Sequence, residues 1–192
     1  MTKLLTPANL LPFVKQGESS TLELKVNTPE PANLARLISS LANTAGGTIV
    51  VGVREPSQVI GTNSARFDKI VKAATALCSG PLDATHYTLN INGLTVGIIE
   101  VKRASIPVAA PDGYYQRVGD STRLLDARDL VTLLTANPDH NSVIASLVQE
   151  LQKSRGSFDK ANSLKTKFAW AVLGAIATGI GKVVLASLGF SM

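Results

Sequence analysis

The sequence predicts an α+β fold: a mixed sheet with a β-hairpin and packed helices, plus a C-terminal hydrophobic helix. Three observations carry this reading. Apolar and polar residues alternate over 21–26 and again along both arms of "HYTLNINGLTVGIIEVKR". Apolar residues recur at helical spacing in two other segments. Between the two alternating arms stands Asn92–Gly93, the dipeptide that fits a type I′ turn.

The elements follow in chain order. The opening "MTKLLTPANLLPFVK" holds only a short, proline-broken apolar run, so no secretory signal is expected there. Leu22, Leu24 and Val26 alternate with Thr21, Glu23 and Lys25, which reads as a strand with a polar outer face. Leu34, Leu37, Ile38, Leu41 and Ala42 form a helical stripe that Gly46–Gly47 terminates. "TIVVGV", 48–53, is a continuous apolar run, as in a strand covered on both faces. A short strand is expected at 59–61. Phe67, Ile70, Val71, Ala74 and Leu77 mark a second amphipathic helix, stopped by Gly80–Pro81. After the hairpin, "YYQRV" and "TRLL" read as strands, and Asp126 as the cap of a helix running towards Pro138. "SVIASLVQELQK" reads as one more helix.

Residues 1–140 therefore form the domain, 141–167 a helix and basic linker, and 168–192 a hydrophobic C-terminal helix. A body of about 140 residues can bury a core without disulfides or metals. The single cysteine, Cys78, has no internal partner, which is consistent with a reducing, intracellular setting. The net charge of +5 is unevenly spread. Residues 1–150 carry 13 basic and 13 acidic side chains, and residues 151–192 carry six and one. The basic excess thus belongs to the tail.

Within 168–192 only Lys182 is charged. A helix of that length spans a bilayer core at about 1.5 Å per residue. Lys153, Arg155, Lys160, Lys165 and Lys167 precede it, a positive-inside flank that would leave the domain in the cytoplasm. Ala171, Ala175 and Gly179 repeat every four residues and would also suit close helix pairing in an oligomer. A surface-lying helix is the third reading.

Several catalytic classes lack their residues. "GIGK" has Ile176 where a phosphate loop needs its first glycine, and Val183 where it needs a hydroxyl. His86 and His140 have no partner at zinc-ligand spacing. No Gly-x-Ser-x-Gly supports a hydrolase triad. The carboxylates Glu18, Glu23 and Glu55 remain, each beside an expected strand. Carboxylates are the hard donors that Mg²⁺ or Mn²⁺ take, and Glu23-Leu24-Lys25 is the Glu-x-Lys of many metal-dependent nucleases. A Glu/Lys outer face is equally what a solvated strand shows.

Taken together, "GESSTLELK", "ISSLANTAGGTIVVGVREPSQVIG", "IIEVKRASIPV" and "GYYQRVGDSTRLL" resemble the Schlafen-type Alba-like domain over about residues 10–135. The resemblance implies an α+β nucleic-acid-binding fold. In animal Schlafen proteins it implies a metal-dependent endoribonuclease acting on structured RNA such as tRNA. Glu18 and Glu23 match the family's first two acids, and Glu55 stands where the third is Asp, with a longer arm. On this reading Glu18, Glu23 and Glu55 hold Mg²⁺ or Mn²⁺ while Lys25 orients the phosphate. Arg54, Lys102, Arg103, Arg117 and Arg123 would contact RNA or DNA if they gather on one side, with Tyr114 or Tyr115 stacking on bases. The animal core has two lobes around a groove and this chain one, so a homo-oligomer is expected. The alternative is a non-catalytic interaction module directed to a membrane or oligomer by its tail.

One geometric difficulty is visible in advance. If 21–26 and 48–53 are parallel neighbours, Glu18 and Glu55 lie at opposite ends, roughly 20 Å apart. They meet only if the strands run antiparallel, or if the chain before Glu23 folds back.

Overall fold

A computed structural model describes residues 5–135. Residues 5–125 form one compact unit and residues 126–135 belong to a second. The centre of the first unit is a four-stranded mixed sheet of β1 (Leu22–Lys25), β2 (Gly47–Val51), β5 (Ala84–Ile91) and β6 (Leu94–Val101), in the order β1-β2-β6-β5. β1 and β2 are parallel; β6 runs antiparallel to both β2 and β5. The Asn92–Gly93 turn joins β5 and β6, with φ of 51° and 84° as a type I′ turn requires.

Helices cover both faces. On one lie α2 (Pro31–Ala42) and α3 (Ser64–Leu77), whose Leu34, Ile38, Leu41, Phe67 and Val71 bury against Ile49, Val51, Ile99 and Val101. On the other lies α1 (Pro7–Val14), whose Leu10 and Val14 cluster with Leu22, Leu24, Val50, Val96 and Ile98. The continuous apolar run at 48–51 therefore alternates between two cores. Gly97 lets α3 come close, since a Cβ there would stand 2.5 Å from the Phe67 ring. Burial pushes the Cys78 thiol up to about 11, in keeping with a core-filling role.

The expected strand 48–53 is interrupted. Gly52, with φ of 93°, ends β2, and β3 (Val53–Arg54) pairs instead with β4 (Gln58–Val59). A separate three-stranded sheet joins β7 (Ala109–Ala110), β8 (Gly113–Val118) and β9 (Ser121–Leu124) in that order. It is tied to α2 through Asn43, whose amide donates to the Val108 and Tyr115 carbonyls at 2.9 Å each. Two elements were not expected from the sequence. β7 is too short to show a pattern. α1 forms despite Pro12, because a helix of 8 residues loses only one internal hydrogen bond to the ring.

In the second unit α4 (Ala127–Thr135) starts where Asp126 accepts from the amides of Arg128 and Asp129, both at 2.8 Å. Among the described residues no helix is long and apolar enough to cross a membrane. The helix expected at 142–153, the basic linker and the apolar run 168–192 lie outside the described residues.

Candidate functional site

β1 is not the half-exposed strand its alternation implies. Leu22 and Leu24 face α1, but Glu23, on the opposite face, is only 4% exposed. What covers it is Arg117 of β8, also 4% exposed. Arg117 Nη1 lies 2.5 Å from Glu23 Oε2, and Nη2 donates to the Ser19 carbonyl at 2.7 Å. The Arg117 amide donates to Thr44 Oγ1 at 2.9 Å. Lys25 Nζ stands 2.5 Å from Glu23 Oε1 and 3.8 Å from Glu18 Oε1. Each Glu23 oxygen thus meets a cation. A carboxylate removed from water requires this, since a lone buried charge costs several kcal/mol. The Arg117 contact is an ion pair rather than an aligned hydrogen bond, and Arg117 Nε has no acceptor among the described residues.

The distance difficulty between Glu18 and Glu55 is resolved by a fold-back. β1 and β2 are indeed parallel. Before β1 the chain turns at Gly17, in the left-handed region with φ of 76°. Ser19 then bonds back to Leu22, its amide donating to the Leu22 carbonyl at 2.9 Å. Glu18 Oε1 accepts from the Leu24 amide at 2.9 Å, and the Glu18 amide donates to Glu55 Oε1 at 3.2 Å. Glu18, Glu23, Lys25 and Glu55 therefore occupy one corner, at the C-terminal end of β1.

They form a chain of contacts rather than a ring around a point. Glu55 holds a backbone amide of residue 18, Glu18 holds one of residue 24, and Glu23 is neutralised by Lys25 and Arg117. Among the described residues no three carboxylate, imidazole or thiol groups stand within one metal's reach. Carboxylate oxygens suit Mg²⁺ or Mn²⁺ chemically, but this arrangement does not fit such an ion: the ammonium of Lys25 sits between Glu18 and Glu23.

The expected basic contacts do not gather. Lys102 and Arg103 follow β6 where it pairs with the start of β2, and Lys102 is bound to Asp83 at 2.8 Å. Arg54 is exposed beyond the far end of β2. Arg123 is exposed on β9. Arg117, expected as an outward phosphate contact, is buried on Glu23, because β8 packs on the loop before β1.

A groove among the described residues was not anticipated. It encloses about 730 Å³ between β1, the start of α2 and the β8–β9 hairpin, and includes Lys25, Asn33, Arg36, Tyr115 and Thr122. Arg36 grips Asp112 through Nε (3.2 Å) and Nη2 (2.6 Å) and lies over the Tyr115 ring, 6.0 Å from its centroid. These contacts hold the Asp112 carboxyl below its ordinary range, chiefly through the Arg36 hydrogen bond. Burial raises the Tyr115 phenol, which donates to Asp112 at 2.9 Å. Arg36 sits on an exposed helix face, where sequence alone gives a cation no distinction.

Comparisons with known proteins bear on this domain. A search of curated proteins finds no match. Among solved structures, the chain is similar to the DIP2311 protein from Corynebacterium diphtheriae, with 22% identity and a TM-score of 0.48 over 62% of this chain. It spans 27% of that protein's length. It is also similar to the N-terminal domain of a protein from Nitrosomonas europaea named as related to the ATP-dependent DNA helicase RecG. There the identity is 19% and the TM-score 0.42, over 64% of this chain and 96% of that domain. The family model described as "Schlafen, AlbA_2" matches residues 18–126, from the first glutamate of the corner to the cap of α4. Over more than half of its length, and across the whole four-stranded sheet, the chain belongs to the Schlafen AlbA_2 family.

Proposed function

We propose that this domain binds nucleic acid along the groove between β1, α2 and the β8–β9 hairpin. The observation that carries the reading is the groove itself, whose lining includes Lys25, Arg36 and Tyr115, with Arg36 over the Tyr115 ring. Cations supply the salt-dependent attraction to phosphates, and an aromatic face accepts a base without regard to sequence. Family membership supports the same reading. Fluorescence anisotropy with labelled single-stranded and hairpin RNA and DNA, over a range of salt, tests it. Binding should weaken as salt rises. Arg36→Ala should weaken it by about tenfold and reduce the salt slope by about 0.7, one contact's share. No binding at low salt, or equal binding by Arg36→Ala, overturns the proposal.

A second reading, cleavage of structured RNA, is favoured by the meeting of Glu18, Glu23, Lys25 and Glu55 at one end of β1. In it an incoming phosphate draws Lys25 away from Glu23, and Lys25 orients that phosphate. Incubating full-length protein with tRNA, with and without added Mn²⁺, tests it against Glu23→Gln. Absence of cutting, or equal cutting by the variant, sinks this reading while leaving the binding proposal standing. The apolar run 168–192 behind its basic flank would tether the domain to the cytoplasmic side of a membrane. Full-length protein that remains in the soluble fraction without detergent argues against the tether.

A further inference from the structure

The four-stranded sheet has two outer edges, and the chain closes one of them. On β1, residues 21, 23 and 25 face β2: the Thr21 and Lys25 carbonyls accept from Thr48 and Gly52 at 2.8 and 2.7 Å. Leu22 and Leu24 therefore direct their backbone groups outward. Ser19 takes both groups of Leu22, and Glu18 takes the Leu24 amide. This edge has little left to offer another strand.

β5 is finished differently. A two-residue turn makes Ile91 and Leu94 a hydrogen-bonded pair, so residues 85, 87, 89 and 91 bond to β6. Ala84, His86, Thr88 and Asn90 direct their amides and carbonyls outward. Among the described residues none of these outward groups has a backbone partner. The strand runs for 8 residues, and its sequence "ATHYTLNI" has no Lys, Arg, Asp, Glu or Pro. Those are the residues with which exposed edges ordinarily resist pairing.

We infer that β5 is the pairing edge for a second copy of this chain, antiparallel and two-fold symmetric about Tyr87. In that register Ala84 faces the partner's Asn90 and His86 the partner's Thr88. All outward groups are then matched, giving about eight backbone hydrogen bonds. A twin is the partner that fits because, among the described residues, each molecule has one open edge in this sheet. Two such edges close on each other, and the capped β1 edges leave no place for a third copy.

The test uses the full chain in mild detergent, followed by sedimentation and by amide hydrogen exchange. Thr88 is the place to intervene. Its amide is not bonded to β6, so Thr88→Pro removes an outward donor while sparing the hairpin. Thr88→Lys sets like charges near each other across the axis and keeps the backbone, should the proline disturb folding. The expected result is a wild-type dimer whose His86, Thr88 and Asn90 amides exchange at least about tenfold more slowly at high concentration than at low. Both variants should dissociate at least about tenfold more readily, with unchanged far-ultraviolet circular dichroism. A monomeric wild type overturns the inference. So does a dimer unaffected by Thr88→Lys, as one held by the apolar tail would be. A wild type that protects these amides only when a foreign extended peptide is added overturns it as well.

Discussion

The β1 side of the sheet uses charged side chains to close itself, whereas β5 at the opposite edge carries none. At β1, Glu18 caps a strand amide, Glu23 is locked between Lys25 and Arg117, and Glu55 secures the returning loop. At β5, backbone groups face outward and the strand holds no Lys, Arg, Asp or Glu. The contrast shows that acidic residues at a strand can be structural before they are anything else. A reading of the corner as a catalytic centre has to explain how carboxylates with these duties are released from them.

The sharpest way to break the comparison is at Arg117. Arg117→Met leaves Glu23 buried with one cation instead of two, and should destabilise by about 3–5 kcal/mol in urea unfolding. Combining it with Glu23→Gln should recover a good part of that loss. If the double variant is as unstable as the sum of the singles, the two side chains are not coupled.

Next comes the cap. Glu18→Ala strips the Leu24 amide of its acceptor and should cost about 1–3 kcal/mol. Glu18→Gln keeps an oxygen there and should cost clearly less. Equal losses would mean that Glu18 acts through its charge rather than as a cap. On the other edge, Thr88→Lys should change the stability of the dissociated chain by no more than about 0.5 kcal/mol, since the residue is exposed. A larger loss would show that β5 has contacts the edge comparison omits.

The smallest effect concerns pH. Asp68 on α3 bonds His86 of β5 at 3.0 Å and Lys72 at 2.8 Å. These hydrogen bonds, His86 first, lower its pKa below the ordinary 3.8. A carboxyl lowered on folding stabilises above its unfolded value, and that contribution fades as pH falls through the folded value. Wild type should therefore lose slightly more stability than Asp68→Asn below about pH 4. Carbon-detected titration of Asp68 by nuclear magnetic resonance checks the direction: a midpoint at or above 3.8 would contradict it.

Much of the fold was legible because its signals are local. The Asn92–Gly93 turn, the stripes of α2 and α3, and the Asp126 cap each rest on a few neighbouring residues. The break at Gly52 was missed because "TIVVGV" is apolar throughout, and hydrophobicity does not register a change of pairing partner. α1 was missed because Pro12 argued against it, and burial of Leu10 and Val14 outweighs one lost hydrogen bond. At the site, the five-residue spacing of Glu18 and Glu23 and the family resemblance picked out residues that do meet. Nothing local marked Arg117 as their partner, since 94 residues separate it from Glu23, nor Arg36 and Tyr115 as the lining of a groove.

By itself, the sequence determined which segments pair with near neighbours, which faces are apolar, and which family the domain belongs to. Those properties depend on periodicity and on motifs a few residues long. Only the tertiary structure decided that the outer face of β1 is buried, that Glu18 folds back onto its own strand, and that Lys25 stands where a cation would otherwise go. Each of these arises where segments distant in sequence pack together, and there the surroundings of a charge, more than its identity, set what it can do.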